Sequence, residues 1–182
     1  MLVQLRAAAL NHRDVWIQQG QYAGIKLPCT LGADGSGEIV MLGAGVTGWA
    51  VGAPVIICPG VAWGDEQRAQ GRDFRVLGMP DPGTFAEYIT VPARYVRPRP
   101  AHLSWEQAAA LPLAGLTAYR AAFGRARVQD GERVLVTGVG GRRSLAGGPV
   151  LRRPRSRGVG DFGRRRQASP RPGPTPGPAR RP

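Results

Sequence analysis

The sequence predicts a mainly β, α+β fold. An irregular barrel of short strands comes first, then two linking helices and the opening strand of a parallel sheet, then a tail with no core of its own. Three observations predict it. Short β-branched runs alternate with glycine turns through residues 1–100, as in small barrels. A capping-box pattern and an apolar run around Pro112 mark two consecutive helices. Arg133-Val134-Leu135-Val136-Thr137-Gly138-Val139-Gly140-Gly141 reads as a strand entering a glycine cluster, as a strand does when it turns into a phosphate-binding loop. The helix that completes such a loop does not follow, because from Arg142 the chain turns to arginine, proline and glycine.

Taken in order, Leu2 to Leu10 is a strand, with Val3 and Leu5 alternating against Gln4 and Arg6. No segment precedes it to pair with, so an open barrel edge is expected there. Asn11 to Gln19 is a short helix with Asn11 as N-cap, Asp14 in the first turn, Gly20 as stop and Val15, Trp16 and Ile17 on its buried side. Gly37 to Leu42 and Ala53 to Cys58 are strands joined through Gly43-Ala44-Gly45, and Thr84 to Val91 and Tyr95 to Arg97 are two more. Pro59 to Gly83 reads as one long polar loop. Ser104 caps a helix Trp105 to Leu111, with Gln107 three residues on. Pro112 interrupts it, and a strongly apolar helix Leu113 to Phe123 follows and ends at Gly124. Val128 to Gly131 turns into the strand at Val134, which needs parallel partners that the remaining sequence does not offer. An exposed apolar patch and an unpaired strand edge are the expected consequences.

Charge divides the chain sharply. Of 25 basic and 12 acidic residues, the last 41 positions hold 12 arginines and one acid, Asp161, so the body is close to neutral. Eight prolines and seven glycines in that tail leave too little apolar surface to offset backbone ordering, and disorder is expected over 142–182. Arginine outnumbers lysine 24 to 1, which fits GC-rich coding DNA. The change of alphabet inside a motif reads as a change of frame, which resequencing would test. Cys29 and Cys58 lack the spacing of a zinc or redox pair and read as small core residues. No leader and no apolar run of about 18 residues is visible, so a cytoplasmic, non-membrane protein is expected.

Four blocks resemble the medium-chain dehydrogenase/reductase superfamily, with its zinc alcohol dehydrogenases and zinc-free quinone oxidoreductases. They are Ala7-Ala8-Ala9-Leu10-Asn11-His12-Arg13-Asp14, Leu31-Gly32-Ala33-Asp34-Gly35-Ser36-Gly37, Gly83-Thr84-Phe85-Ala86-Glu87-Tyr88, and Ala109-Ala110-Leu111-Pro112-Leu113-Ala114-Gly115-Leu116-Thr117-Ala118-Tyr119. The match runs over residues 2–141. The resemblance implies an incomplete GroES-like barrel over 1–100, linking helices and the start of a Rossmann cofactor domain over 101–141, and a tail over 142–182. The chain therefore reads as truncated at both ends relative to the family.

The resemblance also orders the candidate site. Zinc-dependent members place cysteine where this chain has Asn11 and a His-Glu pair at Ala33-Asp34, and they carry a four-cysteine lobe where Val61 to Gly83 has none. No zinc is expected at either place. NAD or NADP is the implied cofactor, with Gly138, Gly140 and Gly141 at its phosphates. The residue that selects ribose hydroxyl or 2′-phosphate, about 20 positions further in the usual motif, has no counterpart here. Asn11 either bonds near the nicotinamide or substrate or only caps its helix. Thr117 either meets the nicotinamide ring or bonds a carbonyl one turn back. Asp34 is a polar site residue or an Asx-turn residue. His12 reads as a surface helix residue, and Tyr22 and Trp63 as pocket-lining or surface packing.

Three functions follow. One is a zinc-independent NAD(P)H-dependent oxidoreductase acting on a small carbonyl, enone or quinone. Another is a non-catalytic remnant of such an enzyme. The weakest is a basic-tailed nucleic-acid binder, since the tail has arginines for phosphate but no reading motif, and no specific nucleic-acid partner is expected.

Overall fold

The computed structural model describes residues 1–136 and the backbone strand Val159–Gly160. Gly138, Gly140, Gly141 and almost all of the tail, with its expected disorder, lie outside the described residues. Strand β1 (Leu2–Ala9) leads into helix α1 (His12–Gln18), then β2 (Asp34–Met41) and β3 (Pro54–Ile57). Three very short strands follow, β4 (Gly60–Val61), β5 (Arg75–Leu77) and β6 (Pro80–Asp81), then β7 (Tyr88–Thr90) and β8 (Val96–Pro98). Helices α2 (Trp105–Ala109) and α3 (Pro112–Tyr119) link these to β9 (Val134–Leu135) and β10 (Val159–Gly160).

The main sheet has the order β7-β1-β2-β3-β8, antiparallel throughout. Its inner face is aliphatic because alternate residues of each strand point the same way. Val3, Ile39, Val55, Ile57 and Val96 are completely buried, with Ile89 and Val91 beside them. Burial of each such side chain contributes about 1.5–3 kcal/mol, which makes this cluster the main source of stability. Helix α2 packs across β1 and β2, with Ala108 and Ala109 fully buried and Ser36 Oγ donating to the Trp105 carbonyl at 2.6 Å. Its capping box forms as expected. Gln107 N donates to Ser104 Oγ at 3.2 Å and Ser104 N to Gln107 Oε1 at 3.0 Å.

Several expectations are corrected. Strand β1 is interior, flanked by β2 and β7, so the edges of the sheet fall on β7 and β8. Pro59 to Gly83 is not a plain loop. It contains the three-stranded sheet β4-β5-β6, whose two- and three-residue strands are too short to show a period in sequence. The strand expected from Thr84 shrinks to β7, because Gly83, Thr84 and Phe85 donate their N–H groups to Thr30, Gly32 and Leu31 carbonyls. In α1 the buried residues are Arg13, Asp14 and Ile17, while Val15 and Trp16 are exposed. Three consecutive residues at 100° spacing cannot share one face, and Arg13 has carbonyls to meet inside. Helix α3 stops at Tyr119 and continues as a π-helical turn, Arg120–Arg125, around Gly124. Strand β9 is not unpaired, since Val134 lies parallel to Val159 of β10. Leu116 and Tyr119 on α3 and Leu135 on β9 are each at least half exposed.

Candidate functional site

The three catalytic candidates lie on different elements. Asn11 precedes α1, Asp34 opens β2, and Thr117 sits in the middle of α3. The structure brings two of them into contact. Asn11 Nδ2 donates to Asp34 Oδ2 at 3.0 Å and to the Ala9 carbonyl at 3.4 Å. The backbone N–H of Leu113, in the first turn of α3, donates to Asp34 Oδ1 at 2.8 Å. Thr84 Oγ1 donates to the Asp34 main-chain carbonyl at 2.7 Å. Asp34 is completely buried, so these bonds act in a weakly screened medium where each counts for more than at the surface.

One residue therefore ties together the four blocks singled out in the sequence. Local chemistry explains each arm. Pro112 begins α3 and supplies no N–H, so the first turn presents the N–H of Leu113, and no side chain of the preceding segment caps it. The Asp34 carboxylate fills that place from another strand and sets a negative charge at the positive end of the helix. Asn11 is oriented by α1, where its own N–H donates to Asp14 Oδ2 at 2.8 Å. Thr84 reaches Asp34 because Gly32 and Gly83 let two backbones touch. A Cβ at Gly83 would lie 2.0 Å from the Gly32 carbonyl oxygen, and Gly32 itself has φ +95°.

Thr117 is not part of this cluster. Its hydroxyl is exposed and donates to the Leu113 carbonyl one turn back at 2.8 Å. It shares a short helix with Leu113 and so stands one turn from the Asp34 contact, beside the exposed Leu116. His12 is exposed. Tyr22 packs under the Arg13 guanidinium, 5.0 Å from ring centroid to Cζ. Arg13 is a participant that sequence reading missed. It is buried in α1 and donates to the Leu77 and Met79 carbonyls at 2.6 and 3.2 Å, which fastens α1 to the β5–β6 turn. Thr84 and the Leu113 N–H were also missed. The Pro112-Leu113 pair is a sequence signal for an uncapped N–H, but nothing in the sequence says which carboxylate reaches it.

Metal ligation fits poorly here. The amide of Asn11 is a poor zinc donor, and both oxygens of Asp34 already accept hydrogen bonds from within the protein. Among the described residues no group of three His, Cys, Asp or Glu side chains is placed to hold a metal ion. Cys29 lies 3.6 Å from the Thr30, Pro80 and Asp81 carbonyls, and burial pushes its thiol above the usual range although Arg13 pulls the other way. That disfavours the thiolate a metal or an electrophile would need. No helix among the described residues is long and apolar enough to cross a membrane.

A five-stranded antiparallel sheet, helix α2 packed over it and a polar knot at the start of α3 define a GroES-like barrel domain. The family model of the alcohol dehydrogenase GroES-like domain matches residues 1–101. The chain belongs to this family, within the medium-chain dehydrogenase/reductases. It is 36% identical over 151 residues to the zinc-type alcohol dehydrogenase-like protein YogA of Leptosphaeria maculans, covering 78% of this chain and 42% of that protein. It is 35% identical over 155 residues to the crotonyl-CoA carboxylase/reductase of Cereibacter sphaeroides, covering 78% and 36%. Among solved structures, an NAD-dependent alcohol dehydrogenase aligns with a TM-score of 0.78 at 39% identity, over 86% of this chain and 48% of that one. The chain thus spans less than half the length of each of these relatives.

Proposed function

We propose that this chain is the substrate-side half of a zinc-independent, nicotinamide-dependent oxidoreductase acting on a small carbonyl, enone or quinone. We further propose that residues 1–182 by themselves do not turn over. The observation that carries the first part is the Asn11–Asp34–Leu113 knot. Where zinc-dependent members are expected to hold metal, this chain has an amide and a carboxylate bonded to each other and to a helix. Relatives named as an acryloyl-coenzyme A reductase and a trans-enoyl reductase fall within the same resemblance, which favours an activated alkene or carbonyl substrate. The cofactor, when bound, supplies or accepts hydride.

The residues divide the remaining work. Asp34, with no surface exposed, acts as a positioning residue that fixes the Asn11 amide and the start of α3. Asn11, half-buried, is the polar group at the substrate side. Thr117 presents its hydroxyl from the open face of α3, where the cofactor ring would lie. Gly138, Gly140 and Gly141 are assigned to the cofactor phosphates, and residues 1–100, 101–141 and 142–182 to barrel, link and tail. The absence of turnover is argued from the sequence after Gly141, where arginine, proline and glycine stand in place of the helical pattern that follows the glycines in the usual motif.

Fluorescence titration of the full chain with NADPH and with NADH tests this reading. Saturable binding in the micromolar range with no turnover of an enone or quinone is the expected result for a chain that retains part of the site. No binding of either nucleotide assigns the chain to a non-catalytic remnant. Tight, stoichiometric zinc uptake by the parent chain under equilibrium dialysis would overturn zinc independence.

A further inference from the structure

Residues 62–74 lie between β4 and β5, in the region where the family resemblance implies a four-cysteine zinc lobe and this chain has no cysteine. The segment is nonetheless organised. Its two legs close on each other at Gly71 N to the Trp63 carbonyl, 2.7 Å, and Gly64, at φ +93°, lies against Gly71 beside that bond. The Trp63 ring packs edge-on against Phe74 with centroids 4.9 Å apart, and Trp63 Nε1 donates to the Glu66 carbonyl at 3.0 Å. Glu66 Oε1 accepts from Arg68 N at 2.8 Å. The result is a small closed loop with an aromatic face and two outward carbonyls.

Those carbonyls and that face meet the far end of the linking helix. The Arg120 guanidinium lies 4.3 Å over the Trp63 ring, and its Nη2 donates to the Gln67 and Arg68 carbonyls at 3.2 and 3.0 Å. Arg125 Nη2 also donates to the Arg68 carbonyl. Both arginines belong to the π-helical turn that continues α3. Guanidinium suits this task because its planar donors serve two carbonyls while its face stacks on a ring. A wider π turn brings Arg120 and Arg125 to one carbonyl although they are five residues apart, a spacing that an ideal α-helix places on different faces.

We propose that residues 62–74 form a strap that fastens the linking helix to the barrel, with Arg120 as the residue that closes it. Helix α3 is then held at two points, at Leu113 by Asp34 and beyond Tyr119 by the strap, with Thr117 between them. The consequence for cofactor contact rests on the function proposed above. The strap does not, and its test uses no nucleotide.

The test is hydrogen exchange read by mass spectrometry on the full chain and on Arg120→Met, Arg120→Lys and Trp63→Leu. Loss of the strap raises exchange by about tenfold or more in the peptides covering 62–74 and 113–125 of Arg120→Met, and leaves the β1 and β2 peptides unchanged. Trp63→Leu, which keeps the carbonyl bonds, shows a smaller rise in the same two peptides. Arg120→Lys falls between parent and Arg120→Met, and it carries the test should Arg120→Met not fold. Unchanged exchange in both peptides overturns the strap. A uniform rise that includes β1 and β2 overturns it as well, because Arg120 would then act on overall stability. Either outcome leaves nucleotide binding to be judged separately by titration.

Discussion

The two ends of helix α3 are secured by opposite physical means. At the N-terminal end one buried carboxylate accepts from the helix backbone and from Asn11. At the other end two arginines at or near the surface donate to carbonyls of a loop and stack on a tryptophan. Bonds count is similar, but the surroundings differ. Asp34 is shielded from water, so a lost partner there leaves a desolvated polar group with nothing to replace it. The arginines are screened, and water takes over any bond they lose. The N-terminal fastening should therefore determine whether the domain folds, and the C-terminal one only how tightly two of its segments move together.

Asp34→Ala is the strongest way to break this contrast. Two bonds to a buried charge are lost, each contributing about 1.5–3 kcal/mol, and the Leu113 N–H and the Asn11 amide are stranded. A loss of roughly 3–6 kcal/mol is expected in chemical denaturation, a large part of the total of about 5–15 kcal/mol for an ordinary domain. A variant within about 1 kcal/mol of the parent would show that the knot does not govern stability. Asn11→Ala tests one arm alone. It removes the bond to Asp34 and a helix-capping residue but keeps the Leu113 contact, and roughly 1–2 kcal/mol is expected. An effect as large as that of Asp34→Ala would mean that Asn11, and not the carboxylate, is the centre of the arrangement.

The C-terminal end sharpens the comparison from the other side. The double variant Arg120→Met, Arg125→Met should lower global stability by no more than about 1 kcal/mol, the scale of an exposed cation–ring contact. Its thermal midpoint is the check. A drop comparable to that of Asp34→Ala would erase the distinction between the two ends.

Much of the main sheet and both helix starts were legible because their signals are local. Val3 and Leu5 alternate, Ser104 and Gln107 stand three apart, and Pro112 opens a turn, and each pattern states its own geometry. What stayed hidden was either too short or too distant in sequence. The strands between 60 and 81 pair only with one another, and strands of two or three residues carry no period. The π turn could not be read because its reason, two arginines reaching one loop, lies some 50 residues away in sequence. At the site, family resemblance points to Asn11, Asp34 and Thr117, whereas Thr84, a threonine after a glycine, looks like an ordinary strand start. Asp34 was visible as polar, but its burial was not, since no run of apolar neighbours announces it.

Thr117 gives the smallest expected change in stability and separates holding from reacting. Its hydroxyl donates to the Leu113 carbonyl inside its own helix, a bond that an exposed helix gains little from, because that carbonyl already serves the helix ladder. Thr117→Val keeps the branched shape and removes only the hydroxyl, so the thermal midpoint should stay within the range of about 0.5 kcal/mol typical of surface substitutions. Valine also leaves the contacts of Leu113 with Asp34 in place, so the N-terminal fastening is undisturbed. Any weakening of NADPH or NADH binding in this variant then belongs to the lost hydroxyl itself. Binding unchanged from the parent would remove Thr117 from the cofactor side of the site and leave its helix bond as the whole of its role, while a fall in stability above about 1 kcal/mol would place it among the residues that hold α3.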